Sequence, residues 1–104
     1  MKYLMSTIAA LIFSLSLYAE TSTEIIVYTQ EGCSRCEYTV EYLKTNNIAY
    51  KECPIEVEEN KDSMWQAIEK SGKLKGTRIS MPVIVKNGTV YFSIKNLEKF
   101  VKTL

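Results

Sequence analysis

The sequence of 104 residues contains no histidine. This absence excludes catalytic Ser-His-Asp and Cys-His arrangements, and it excludes every histidine-ligated metal site. Any chemistry must therefore use thiols, carboxylates, amines or tyrosines. Cysteine is also scarce, with three residues. Because three is an odd number, at least one thiol is left over or pairs between molecules.

The sequence also lacks an excess of charge, since 13 Lys and Arg face 12 Asp and Glu. A balanced charge argues against a general nucleic-acid binder, and we expect no nucleic-acid partner. The charges are nevertheless segregated along the chain. Residues 20–69 hold 11 acidic and 4 basic side chains, whereas residues 70–104 hold 1 acidic and 8 basic ones. The basic half favours contact with an acidic partner.

The one long apolar stretch, from Leu4 to Tyr18, follows Lys2 and is broken only by Ser and Thr. This pattern, ending at Ala19, is typical of a secretory signal peptide. The stretch is shorter than the about 20 residues of a spanning helix, so cleavage is favoured over an uncleaved anchor. We expect residues 1–19 to be removed and residues 20–104 to form one domain without a membrane attachment. Export to the periplasm or cell envelope would place it where disulfides form.

Cys33 and Cys36 are separated by two residues in a Cys-x-x-Cys motif. The β-branched run before it, from Glu24 to Thr29, predicts a buried strand, and the spacing of apolar residues after Ser34 predicts a helix. Cys33 would then lie at a helix start, where unpaired N–H groups stabilise a thiolate. Cys36 lies one helical turn later, close enough to Cys33 to form a small disulfide ring with it. Metal sites use the same spacing, so the motif alone is compatible with either a redox-active dithiol or a metal site.

The rest of the chain alternates strands and helices. The Asn87-Gly88 pair predicts a hairpin turn, and Pro54 predicts an edge strand because it cannot donate a ladder hydrogen bond. The predicted order is β-α-β-α-β-β-α, an α/β fold whose four-stranded mixed sheet is flanked by helices. The predicted elements are strands at 24–29, 48–55, 81–86 and 89–94, and helices beginning at Ser34, at the acidic residues 56–62 and after Asn96.

This arrangement resembles the thioredoxin fold, and specifically a small glutaredoxin, over nearly all of residues 24–104. Residues 28–36, YTQEGCSRC, are similar to the strand end and redox motif of that family. Ser80-Met81-Pro82 is similar to its Thr-Val-cis-Pro. The resemblance implies a thiol–disulfide oxidoreductase with a redox-active Cys33–Cys36 disulfide. It also implies that Cys33 is the attacking thiol and Cys36 the resolving one.

The resemblance further implies how a substrate is bound. Pro82 is expected to follow a cis bond and to pack against the Cys33 sulfur, while the Met81 backbone pairs with the bound thiol substrate. The expected partners are protein disulfides or thiols, with glutathione as a co-substrate. We expect a monomer with no resident cofactor and no metal. The expected substrate-contact residues are Gln30, Ser34, Arg35, Arg78, Met81 and Pro82.

The sequence departs from the glutaredoxin pattern where glutathione is bound. Gln30 stands where many glutaredoxins have a lysine before the motif. Residues 92–96 stand where many have Gly-Gly followed by acidic residues. We therefore expect glutathione to be a poor or atypical partner.

The alternative function is a non-catalytic thiol module that binds a partner protein or a metal. Since one chain offers only three cysteines and no histidine, copper or an iron–sulfur cluster would need a dimer or an outside ligand. The third cysteine, Cys53, lies in a predicted strand and is expected to be a small buried hydrophobe. A second interpretation makes it an auxiliary thiol near Cys33.

Overall fold

The computed structural model describes residues 23–76 and 78–104. The predicted signal peptide, 1–19, and its boundary lie outside the described residues. Within the described ranges, no helix has both the length and the apolar character needed to cross a membrane. The elements confirm the predicted order; they are β1 Ile25–Thr29, α1 Ser34–Thr45, β2 Lys51–Pro54, α2 Glu58–Ser71, β3 Val83–Lys86, β4 Thr89–Tyr91 and α3 Leu97–Val101.

The four strands form one mixed sheet in the order β2-β1-β3-β4. Strand β1 runs parallel to β2, to which α1 connects it, and antiparallel to β3, while β3 and β4 are antiparallel. The apolar run of β1 thus occupies the interior of the sheet. Strand β2 is at one edge, which confirms the position that Pro54 predicts, and β4 is at the other.

Three strands are shorter than their apolar patterns predict, and β3 begins only at Val83 rather than at Met81. Strand β2 begins only at Lys51, because the N–H of Ile48 donates to the Leu43 carbonyl at 2.9 Å and closes the end of α1. Strand β4 ends at Tyr91, because Ser93 has a φ of 51° and leaves the extended conformation. Residues 92–96 therefore form a loop rather than the end of a strand.

The hairpin and the last helix begin as the sequence predicts. Asn87 and Gly88 have φ values of 49° and 85°, the left-handed pair that a two-residue hairpin requires. The Asn87 side chain also accepts a hydrogen bond from the Glu24 N–H at 2.9 Å, which ties the hairpin to the start of β1. Asn96 caps α3 by accepting a hydrogen bond from the Lys99 N–H at 3.0 Å.

Each face of the sheet carries an apolar layer. Helix α2 packs on one face, with Tyr28, Cys53, Met64, Ile68, Val83 and Val90 buried there. Helices α1 and α3 cover the other face, where Ile25, Val27, Leu43 and Ile84 are buried. Trp65 and Val40 are only half-buried although both are apolar. Thr39 is fully buried instead, because its hydroxyl donates to the Arg35 carbonyl at 2.9 Å.

Candidate active site

The two cysteines of the motif lie at the start of α1. Cys33 is the N-cap residue, and Cys36 lies in the first turn. Their Cα atoms are 5.2 Å apart, and a disulfide joins them. The Cys36 N–H donates to the Cys33 sulfur at 3.1 Å. After reduction the same N–H, aligned with the helix dipole, would stabilise a thiolate at Cys33.

A tight turn between β1 and α1 holds Cys33 in place. The Cys33 N–H donates to the Gln30 carbonyl at 3.2 Å. Gly32 has a φ of 74°, a conformation in which a residue with a side chain is strained. The Glu31 N–H donates to the carboxylate of Glu56, which follows β2, at 3.0 Å. The position of the Cys33 thiol is therefore fixed by the turn that follows β1 and by a hydrogen bond to the segment that follows β2.

The two sulfur-bearing residues differ in exposure. Cys36 is only 2% exposed, whereas Cys33 is intermediate between buried and exposed. A large disulfide substrate would therefore meet Cys33 first. This difference agrees with the roles of attacking and resolving thiol that the family resemblance implies.

We expect the reduced protein to be alkylated much faster at Cys33 than at Cys36, since alkylation requires an accessible thiolate. The measurement is the rate of iodoacetamide modification over a series of pH values, in variants that keep only one of these two cysteines. Faster reaction of Cys36 would contradict the assignment. So would a Cys33 that reacts no more readily than a free cysteine across the whole series.

Arg35 binds a neighbouring loop. Its guanidinium donates a hydrogen bond to the Ile94 carbonyl, so it connects α1 to residues 92–96. The sequence indicates only a positive charge near the thiol and gives no sign of this partner. Of the other expected contact residues in the motif, Gln30 and Ser34 are exposed at the surface.

The Pro82 loop lies at the same end of the sheet as the motif, because Val83 pairs with Tyr28 near the end of β1. The Met81–Pro82 bond is cis, and Pro82 is buried. Two hydrogen bonds join this loop to residues 92–96. The Ser93 N–H donates to the Ser80 carbonyl at 3.2 Å, and the Ser80 N–H donates to the Ser93 hydroxyl at 3.0 Å.

A cleft of about 430 Å³ reaches Cys36 from the β2 side, and we call it the acidic cleft. Sequence reasoning missed it, because its carboxylates come from three separate segments. The only signal was the acidic excess of the first half of the chain. Its lining includes Cys36 and the glutamates Glu31, Glu37, Glu41, Glu52 and Glu56.

Arg78, one of the expected substrate-contact residues, does not line the acidic cleft. It is exposed and lies with Lys73 and Lys75 in a second cleft beside β4.

Cys53 is a free thiol, 5% exposed, within the core layer under α2, which agrees with its interpretation as a buried hydrophobe. Among residues 23–76 and 78–104, no three Cys, Asp or Glu side chains are grouped to hold a metal ion.

The sheet, the helix-start dithiol and the proline loop define a thioredoxin-fold protein with a Cys-x-x-Cys site. Residues 25–91 match the sequence model of the glutaredoxin family. The chain therefore belongs to the glutaredoxin family. Family membership and the Cys33–Cys36 pair support thiol–disulfide exchange as its chemistry.

Solved structures agree with this assignment. The glutaredoxin of Archaeoglobus fulgidus is 27% identical, with a TM-score of 0.54 over 83% of this chain and 90% of that chain. The thioredoxin-like protein BC3987 is 28% identical, with a TM-score of 0.53 over 77% and 99%. Glutaredoxin 1 of Francisella tularensis, 21% identical with a TM-score of 0.53 over 78% and 99%, supports the fold alone. No curated protein matches the sequence significantly.

Proposed function

We propose that this protein is a thiol–disulfide oxidoreductase of the cell envelope that acts on protein disulfides in preference to glutathione mixed disulfides. One observation carries the proposal. An accessible Cys33 caps the first turn of α1, with Cys36 buried one turn behind it and within disulfide distance. The envelope location is supported by the apolar stretch within residues 1–19.

The proposed reaction begins with the Cys33 thiolate, which attacks one sulfur of the substrate disulfide. A mixed disulfide forms, and the other substrate sulfur leaves as a thiolate. Cys36 then loses its proton and attacks the Cys33 sulfur, which forms the Cys33–Cys36 disulfide and releases the second substrate thiolate. The substrate gains two electrons and the protein loses two. Two external thiols, which are oxidised to a disulfide, restore the Cys33–Cys36 dithiol. The reverse sequence inserts a disulfide into a substrate, and neither direction requires a resident cofactor or a metal.

The loop of residues 92–96 supports the preference for protein substrates. Phe92 and Ser93 place side chains where the family has glycines that let glutathione approach the backbone. The Ser93 hydroxyl is already bonded to the Ser80 N–H. Lys95 is exposed and would repel the ammonium group that an acidic residue holds in other glutaredoxins. We propose that a monomer acts in this way.

We expect the protein to reduce an unfolded protein disulfide efficiently, and to reduce a glutathionylated peptide more slowly than an ordinary glutaredoxin does. The measurement compares kcat/KM for the two substrates at one pH, with that glutaredoxin as the control. A double variant, Phe92→Gly with Ser93→Gly, should increase turnover of the glutathionylated peptide, because it removes both side chains from the path of the ligand. A wild-type protein as fast on glutathione as the control would contradict the preference.

A further inference from the structure

The second cleft has a volume of about 500 Å³ and lies against the outer strand β4. We call it the basic cleft. Arg78 is an expected substrate contact, and Phe92 and Ser93 bear on the proposed preference against glutathione, but the proposed exchange steps use no residue of this cleft. Its lining consists of Lys73, Lys75, Arg78, residues 90–94 and Phe100.

The floor of the basic cleft is apolar and aromatic. The rings of Tyr91 and Phe100 pack with centroids 4.9 Å apart and planes inclined by 55°. Phe92 and Ile94 are also only half-buried, so part of their apolar surface meets the cleft. A floor of this kind favours a large apolar side chain from a bound molecule.

The rim of the basic cleft is cationic. The Lys73 ammonium donates to the Val90 carbonyl at 3.0 Å and lies 5.2 Å from the centroid of the Tyr91 ring, so it is held in place. Lys75 and Arg78 are exposed beside it. Among the described residues that line the cleft, none is an Asp or Glu that would offset these three charges. Mutual repulsion among them favours a bound group that carries carboxylates.

The basic cleft adjoins the redox site through residues 92–94. Ser93 is bonded to Ser80, next to Met81 and Pro82, and Ile94 accepts the guanidinium hydrogen bond of Arg35, next to Cys36. A polypeptide bonded to the Cys33 sulfur would therefore reach the basic cleft within a short length of chain. The acidic cleft, on the β2 side of Cys36, would repel the same carboxylates and so favour one direction of binding.

We propose that the basic cleft binds an acidic, apolar segment of the protein whose disulfide is exchanged at Cys33. The segment carries carboxylates for Lys75 and Arg78, and a large apolar side chain that packs on Tyr91 and Phe92. This inference rests on the proposed function for its substrate, although binding to the cleft is measurable without any redox step.

The binding experiment uses the oxidised protein and three fluorescein-labelled peptides without cysteine: Glu-Leu-Glu-Phe-Glu, its Gln-for-Glu analogue and its Lys-for-Glu analogue. Fluorescence anisotropy should give the tightest binding for the acidic peptide, weakened by added salt. The double variant Lys75→Glu with Arg78→Glu should bind it at least about tenfold more weakly. The matched control, Lys61→Glu with Lys102→Glu, changes the net charge equally at exposed positions outside the cleft and should bind as the wild type does. Thermal unfolding of both variants verifies that they are folded.

The activity experiment places the same three flanking sequences beside a cysteine in a peptide disulfide. The expected order of kcat/KM is acidic, then neutral, then basic, and the cleft variant should lose this order while the control variant keeps it. Binding of the acidic peptide without reduction of any disulfide would support the proposed role of the cleft and overturn the proposed function. Reduction of all three peptide disulfides at equal rates, with no selective binding of the acidic peptide, would overturn the proposed role of the cleft and leave the proposed function intact. Complete displacement of the peptide by free glutamate or phosphate would assign the cleft to a small anion and overturn the inference.

Discussion

Replacing Cys36 by serine should trap the substrate on the protein. The Cys33 thiolate still attacks a disulfide, but no second thiol is present one turn away to release it, so a mixed disulfide accumulates. Replacing Cys33 by serine should trap nothing, because the remaining thiol of the pair is only 2% exposed. Both variants should reduce protein disulfides no faster than the uncatalysed reaction.

The measurement is non-reducing electrophoresis with mass spectrometry of the trapped species, beside an insulin-reduction assay. Cys53→Ala is the matched control, since its thiol is buried in the core layer under α2 and takes no part in the proposed exchange. It should leave turnover close to that of the wild type. Trapping by the Cys33→Ser variant, or loss of turnover on changing Cys53, would contradict the assigned roles.

Replacing Leu43 by alanine should destabilise the domain severely. Leu43 is fully buried between α1 and the sheet, and a leucine-to-alanine change at such a site costs about 2–5 kcal/mol. The stability of a domain of this size is only about 5–15 kcal/mol in total. Since each kcal/mol shifts Tm by about 4–8 °C in small domains, a decrease of at least about 8 °C is expected.

The measurement is urea and thermal unfolding of the oxidised protein, followed by circular dichroism. Tyr38→Ala is the matched control on the same helix, because it removes a larger side chain that is 42% exposed. Its free energy of unfolding should change by no more than about 0.5 kcal/mol. Equal destabilisation by the two changes would mean that α1 does not pack through Leu43.

Local signals in the sequence were sufficient for the order of elements and for the redox motif. The β-branched run of β1, the Asn87-Gly88 turn and the Asn96 cap each act over a few residues, so their effects are readable without tertiary structure. The early end of β4 was not readable in this way. Residues 92–94 continue an apolar pattern, and the left-handed Ser93 accompanies hydrogen bonds to Ser80, far away in sequence.

The surroundings of the dithiol depend on contacts distant in sequence, which explains why they were missed. In the sequence, Arg35 indicates only a positive charge beside the thiols. The structure shows in addition that its guanidinium donates a hydrogen bond to the Ile94 carbonyl. The burial of Thr39 depends on a hydrogen bond to a carbonyl one turn back, which a polar residue in an amphipathic pattern does not reveal. The acidic and basic clefts each collect side chains from separate segments, so only the uneven distribution of charge hinted at them.

The two edges of the sheet bear on self-association. Strand β2 offers no N–H at Pro54 and carries exposed charges at Lys51 and Glu52, while Lys73 covers a carbonyl of the three-residue strand β4. Short, charged or covered edges discourage the addition of a foreign strand and the growth of amyloid-like stacks. The proposed substrates include unfolded proteins, whose chains could pair as a foreign strand with an open sheet edge. Because both edges are short, charged or covered, the protein would hold such a chain through one mixed disulfide without offering an edge on which the chain could aggregate.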